Sequence, residues 1–395
     1  MTFSQILATG KKPVIMQVLP ALNTGGVEQG VVDLNAEIVK AGAKSIVISS
    51  GGTRVNEIAN AGGMHITLPV HSKNPLVIFA NIKKIKDVIQ RHNVDIVHAC
   101  SRAPAWSAYH AVKGTTARFV TSCHSAHKVS GAVKRLYNSS IVSGERVIAA
   151  SEYLADYLRN NYKFDFSKLR MVHRGISLDK FNPDAVFPPQ VEAARKAFQI
   201  PDGHKVLVLP ARLTRSKGHQ FTLEALKKLD RSDYVCVFLT SNTGTQSFKS
   251  ELEDDIRKSG LENRVKIGSY DMPTAYAMSD VVLSPTIIPE GFGRVPVEAQ
   301  AMGIPVITTN HGGVRETVKH GRTGWLVSPT DSTEFSAAIR DALSLTPEKR
   351  RSFAKEAREN VVNNFTAQRM GMMTLDVYAE LMDGAKAQHS TRFAA

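Results

Sequence analysis

A chain of 395 residues is too long for one compact core and comfortable for two. With 43% apolar and 22% charged residues it has neither the bias of a disordered chain nor that of a fibrous one, and no segment reaches the ~20 apolar residues of a membrane-spanning helix. The three cysteines, Cys100, Cys123 and Cys236, lack the paired spacing of a disulfide framework or a zinc site, which fits a reducing cytoplasmic setting. The formal charge of +14 is unevenly spread. Residues 1–180 carry 23 Lys and Arg against 11 Asp and Glu, whereas residues 181–395 carry 27 against 25. Such an asymmetry suits an anionic partner surface, membrane phospholipid or nucleic acid, and equally suits a solvated basic face.

Along the chain, short β-branched runs alternate with amphipathic stretches. The run 13–22 ends in Asn23-Thr-Gly-Gly26 rather than in a small-residue cleavage site, so it reads as a first core strand and not as a signal peptide. Strands are expected at 14–20, 45–49, 95–99, 119–123, 146–150 and 170–173, with helical periodicity over 26–41 and 75–92 and from Ser151 as N-cap to about 160. Residues 182–204, with Pro183, Pro188, Pro189 and Pro201 around one short helical piece, read as an interdomain connection. A second series follows at 205–213, 234–240, 265–268, 281–285, 305–309 and 325–327. A helix opens near Asp331, with Glu334 at capping-box spacing. A long amphipathic stretch, 347–382, is expected to cross back to the first domain, and the tail 385–395 to fray. Repeated strand–helix–strand units call for parallel sheets covered on both faces. The expected division is 1–181, 182–204, 205–365 and 366–395, two doubly wound Rossmann-like domains with ligands at the carboxyl ends of the strands.

The most informative segment is Glu290-Gly-Phe-Gly-Arg-Val-Pro-Val-Glu298, directly after an expected strand. Gly291 and Gly293 allow a tight turn and close backbone approach to a ligand. The helix that follows presents free N–H groups suited to a diphosphate. A second strand ends in Gly312-Gly313 and opens another helix, so two anion-friendly turns lie side by side.

The stretch 290–327 resembles the donor-binding region of retaining GT-B glycosyltransferases of family 4, in which two glutamates separated by seven residues are the signature. Gln17–Glu28 is similar to that family's first βα turn, and Pro210-Ala-Arg-Leu-Thr-Arg-Ser-Lys-Gly218 to its basic loop. Asp95–Trp106 together with Lys134-Arg-Leu-Tyr137 looks like the lipopolysaccharide-core branch. One departure is Arg174-Gly-Ile-Ser177, where the family often has Asn-Gly-Val-Asp, and no role is carried over to it.

The resemblance implies a GT-B fold with the two domains facing across a cleft, and sugar transfer with retention of configuration. It implies that Arg212 and Lys217 grip the donor diphosphate, that Glu298 holds the ribose hydroxyls, and that Glu290 with the backbone of Phe292 and Gly293 contacts the transferred sugar. His124, at the end of the strand 119–123, is implied to lie beside that sugar, with His127 a nearby alternative. Gly25 and Gly26 let the first loop approach donor phosphate and acceptor. His98, Ser101 and Arg102 follow another strand end, and their basic character suits an acceptor carrying phosphate or carboxylate. Tyr270 and residues 264–268 are placed near the nucleotide base. No Asp-x-Asp sequence occurs, so the expected design uses cations and helix ends in place of a metal, with no tightly bound cofactor. The expected partners are a nucleotide-sugar donor and a glycan or lipid-linked acceptor at the inner face of a membrane, with peripheral contact to anionic lipid and no nucleic acid. Competing readings are an epimerase or phosphorylase of the same fold, and a non-catalytic binder of nucleotide sugar or nucleic acid. No helix-turn-helix, finger or aromatic-basic sheet supports the last of these.

Overall fold

The computed structural model describes residues 1–127, 131–240 and 246–390. The chain forms two units, Met1–Gly175 joined by the chain from Ala367 onward, and Ile176–Thr366. Both are α/β with a single parallel sheet.

In the first unit β1 (Val14–Val18), β2 (Lys44–Ser49), β3 (Met64–Thr67), β4 (Ile96–Ala99), β5 (Arg118–Cys123), β6 (Arg146–Ala149) and β7 (Leu169–Met171) lie in the order β3-β2-β1-β4-β5-β6-β7. Strand β1 is buried along its whole length, as are β4 and nearly all of β2 and β5. A parallel sheet covered by helices on both faces demands this. Sequence periodicity missed only β3, a half-exposed edge strand that follows Gly62-Gly63. One face is closed by the helix Ala367–Ser390, whose Leu375, Tyr378 and Leu381 join Ile15, Ile38, Ile96 and Ile148 in a shared core. Glu380 on that helix ties down Arg146 at 2.6 Å and Arg170 at 2.7 Å.

In the second unit β8 (Lys205–Pro210), β9 (Tyr234–Leu239), β10 (Val265–Gly268), β11 (Val281–Ser284), β12 (Val306–Thr309) and β13 (Trp325–Val327) lie in the order β10-β9-β8-β11-β12-β13. The order reverses between β8 and β11, as it does between β1 and β4 in the first unit. A parallel sheet opens a crevice at such a reversal, beyond the carboxyl ends of the two strands.

The short helical piece expected within residues 182–204 is the helix Pro188–Ala197, and Ala194, Phe198 and Ile200 pack on Val206, Val208, Val235 and Val237 of the second sheet. Two local differences from the sequence reading have physical causes. The stretch 347–382 is two helices, Pro347–Asn364 and Ala367–Ser390, broken at Phe365, which leaves helical geometry at φ −132°. At the helix Ser332–Leu343, Asp331 caps the N–H groups of Thr333 and Glu334, but the Glu334 carboxylate accepts from Ser328 N at 2.8 Å instead of closing a capping box. Of the tail expected to fray, 385–390 continue the last helix and 391–395 lie outside the described residues.

Candidate active site

In the second unit the reversal between β8 and β11 brings together the two loops singled out in the sequence. After β8 the chain runs through exposed Arg212 to a short 3-10 turn, Arg215–Lys217. After β11 it runs through Thr286–Gly293 into the helix Arg294–Ala301. The loops are tied by the Ile287 N–H, which donates to Ser216 O at 2.9 Å, and by an ion pair between Lys217 Nζ and Glu290 Oε1. The side chains of Lys217 and Glu290 are each about one-quarter exposed, 26% and 22%, so the pair is reachable yet shielded enough to matter. Arg212 makes no hydrogen bond or ion pair with its side chain among the described residues, which leaves its guanidinium available.

Gly293 caps the 294–301 helix at φ 86°, where any side chain is strained and would run into Val314. No side chain caps this helix end, and the first turn carries no acid, so its amide dipoles face the crevice uncancelled. The second glycine turn is bonded to the first. Gly313 N donates to Glu290 O at 2.9 Å, and Gly312, at φ 71°, lies against the backbone of Glu290 with room for no Cβ. Phe292 is buried edge-on against Phe365, its ring in the core and its backbone in the loop.

One helical turn further on, Glu298 is 7% exposed. Tyr276 Oη donates to Glu298 Oε2 at 2.9 Å, and Arg294 Nε donates to Oε1 at 3.3 Å. Burial, reinforced by the Glu298 charge and hydrogen bond, pushes the Tyr276 phenol well above its ordinary range and keeps it a donor. His311 is held by Thr286 O at 2.8 Å and Thr309 Oγ1 at 3.0 Å, and burial lowers its pKa, so a neutral imidazole stands behind Glu290. Tyr276, Arg294 and His311 carried no sequence signal of their own. Tyr270 packs on Phe198 at 6.1 Å between ring centroids, after the edge strand β10.

In the first unit the reversal lies between β1 and β4. Gly25 begins the helix Gly26–Lys40 without a side-chain cap, and the Glu28 carboxylate folds back over it. Beneath this turn the guanidinium of Arg174, 6% exposed, donates to Gly26 O. His124 follows β5, and its Nδ1 is buried without a hydrogen-bond partner among the described residues. Burial first, then the charges of Arg174 and His98, hold its pKa well below the ordinary histidine value. Ser101 is the N-cap of the helix Arg102–Val112, and its hydroxyl makes no cap bond. Arg102 Nη1 donates to Asn138 Oδ1 at 2.5 Å.

His98 needs correction. It is 3% exposed, with Nδ1 2.7 Å from Tyr378 Oη and Nε2 bonded to Ser122 Oγ, and burial pulls its pKa down to about 3. Both ring nitrogens are used in fastening the last helix to the sheet, so none is left for an acceptor.

Comparison with known proteins gives the family. Residues 190–360 fit the model for glycosyl transferases group 1, and residues 24–180 that for glycosyltransferase family 4. A crystallised glycosyltransferase from Rickettsia africae ESF-5 is 36% identical, with TM-score 0.87 over 94% of this chain and 99% of that one. Anabaena HepE, solved in complex with UDP and glucose, shares the fold at 20% identity and TM-score 0.81, over 92% and 99% of the two chains. Spore coat protein SA of Bacillus subtilis strain 168 is 24% identical over 94% of this chain and 98% of its own length. With two Rossmann-like units of the GT-B kind, this chain belongs to the glycosyltransferases and is a glycosyl-transferring enzyme.

Proposed function

We propose that the enzyme is a retaining, metal-independent glycosyltransferase that moves a sugar from a nucleoside-diphosphate donor to a glycan or glycolipid acceptor in lipopolysaccharide or envelope polysaccharide synthesis. The observation that carries the donor half is the convergence at the β8/β11 reversal of a free Arg212, the Lys217–Glu290 pair and the uncapped 294–301 helix. Two cations and a helix end supply the positive field that a departing diphosphate requires.

In this reading Arg212 and Lys217 bind the diphosphate and stabilise the charge that builds on it. Glu298, oriented by Tyr276 and Arg294, accepts hydrogen bonds from the ribose hydroxyls. Glu290 and the backbone at Phe292 and Gly293 hold the sugar, while the family resemblance assigns the first unit's neutral His124 to the transferred sugar and its Gly25-Gly26 turn to the donor phosphates. The bond from the anomeric carbon to the phosphate oxygen breaks through an oxocarbenium-like state. The acceptor hydroxyl forms the new bond on the same face, and its proton passes to the departing phosphate. Retention rests on the family resemblance. Replacing Glu298 with Ala is expected to weaken donor binding at least tenfold in calorimetry without unfolding the chain, and unchanged affinity would contradict the assignment.

The acceptor half rests on the first unit, whose helix Pro75–His92 presents Leu76 at 79% and Phe79 at 70% exposure, with Lys73 exposed just before the helix and Lys83 and Lys84 exposed along it. Exposed apolar side chains on a helix that also carries exposed lysines fit the interface of an anionic bilayer. This supports a cytoplasmic enzyme working at the inner membrane face on a lipid-linked acceptor. No helix among the described residues is long and apolar enough to cross a membrane. Co-sedimentation should favour anionic over neutral vesicles, and the double variant Leu76→Ser, Phe79→Ser should abolish the difference. Equal binding to both vesicle types would count against membrane docking.

A further inference from the structure

Between Asp95 and Glu145 the chain has no acidic residue, yet it carries six Lys and Arg and four His. In the fold this stretch supplies β4, the 102–112 helix, β5 and the helix Ala132–Asn138. The first turn of the 102–112 helix has neither a side-chain cap nor an acid, so the N–H groups of Arg102 and Ala103 have no such partner. The Arg102 guanidinium is half-buried and bonded to Asn138 Oδ1, a neutral group that leaves its charge uncancelled. Asn138 is wholly buried, and its Nδ2 has no hydrogen-bond partner among the described residues.

This arrangement is not slack. Trp106 Nε1 donates to Tyr137 O at 3.2 Å, and Ser140 Oγ bridges Tyr137 O at 3.0 Å and Arg102 O at 3.4 Å, fixing the 132–138 helix against the 102–112 helix. Exposed Lys134 lies one turn before Asn138. His127 is half-buried nearby, its backbone carbonyl held by Tyr157 Oη at 2.7 Å. Burial, then the charges of Arg102 and Lys134, bring its pKa down to about 4. A buried amide donor without an acceptor, beside a guanidinium without a carboxylate and a helix end without a cap, is a set of groups that an anion would complete.

We propose that Arg102, Asn138 Nδ2, Lys134 and the amino-terminal end of the 102–112 helix form an oxyanion subsite that grips a phosphate or carboxylate group on the acceptor. The inference deepens the acceptor reading above and rests on it. It moves the contact from His98, which is fully engaged, to Asn138 and Lys134.

The test uses the full chain and three soluble probes, glucose 6-phosphate, glucuronate and glucose, titrated by calorimetry alongside UDP, GDP and ADP. At least one charged sugar is expected to bind tenfold or more tightly than glucose, and the stronger of the two identifies phosphate or carboxylate. Arg102→Gln is expected to erase that preference, Arg102→Lys to restore only part of it because the fork is lost, and nucleotide binding to stay unchanged in both. Asn138→Leu should also lower it, with retained nucleotide binding reporting that the chain is folded. If charged sugars bind no better than glucose while a nucleotide binds, the subsite is wrong and the donor reading stands. A charged-sugar preference removed by Arg102→Gln, in a chain that binds no nucleotide, would support the subsite and overturn the donor reading instead. Loss of anionic-vesicle binding by Arg102→Gln with the sugar preference intact would also overturn the proposal, assigning these cations to lipid.

Discussion

The two strand-order reversals make an instructive pair. At the β8/β11 reversal the buried and half-buried charges already have partners, Lys217 with Glu290 and Glu298 with Tyr276 and Arg294. Among the described residues at the β1/β4 reversal and the β5 end beside it, Arg102 meets only an amide, Asn138 keeps a buried donor unused, and His124 keeps a buried nitrogen unused. Buried charges that are already paired are organised before a ligand arrives, and the exposed Arg212 and the open helix end then meet it with little rearrangement. A site with surplus donors depends on the ligand to balance it, and so discriminates by charge.

Substitutions can break this contrast, and the largest effect is expected at Lys217. Lys217→Ala should lower kcat by about two to three orders of magnitude, the usual effect of removing one preorganised charge from a developing anion. Steady-state kinetics with a nucleotide sugar checks it, and a loss of less than threefold would place the leaving group elsewhere. Next comes Glu298→Gln, which keeps the shape and removes the charge beside Tyr276. It should raise the donor Kd by about tenfold or more with little change in kcat, a split that separates binding from chemistry.

Backbone and stability effects follow. Gly293→Ala is expected to cost about 1–3 kcal/mol, since φ 86° and the neighbouring Val314 both oppose a side chain. Thermal melting should fall, and donor binding with it. His98→Phe should cost about 1–3 kcal/mol by stranding Tyr378 Oη and Ser122 Oγ in the interior, without altering nucleotide affinity.

The last effect is on pH. The folded pKa of His98, about 3, lies below the unfolded value near 6.5, so burial of its neutral form gives its full stability above about pH 6.5 and loses it as pH falls toward 3. His127 and His219, both at about 4, add slopes of the same sign down to that point. Denaturant titrations from pH 7 to 4 should show stability falling with acid, with His98→Phe flattening the slope by about 1.4 kcal/mol per pH unit. A wild-type curve flat over that range would contradict the burial of these rings in neutral form.

Much of this was legible because the signals are local. The strands advertise themselves as short β-branched runs, and Glu290–Glu298 is a contiguous turn-and-helix whose glycines say what the backbone must do. Edge strand β3 was not legible, being half-exposed and preceded by two glycines. The break at Phe365 was hidden because apolar spacing continues through it, with Val361, Phe365 and Met370 all buried. His98 looked like a ligand because its strand-end position says nothing about Tyr378, 280 residues away, which occupies it. Tyr276, Asn138 and Arg174 share that difficulty, since their meaning lies in contacts that no short stretch encodes.

The central claim is that a diphosphate rests on the amino-terminal end of the 294–301 helix, flanked by Lys217 and Arg212. A crystal structure with a bound nucleoside diphosphate tests it most directly. Phosphate oxygens are expected within hydrogen-bond distance of Lys217 Nζ and of the N–H groups that open this helix, with ribose hydroxyls on Glu298. A diphosphate bound elsewhere, with these groups in contact only with one another, would contradict it.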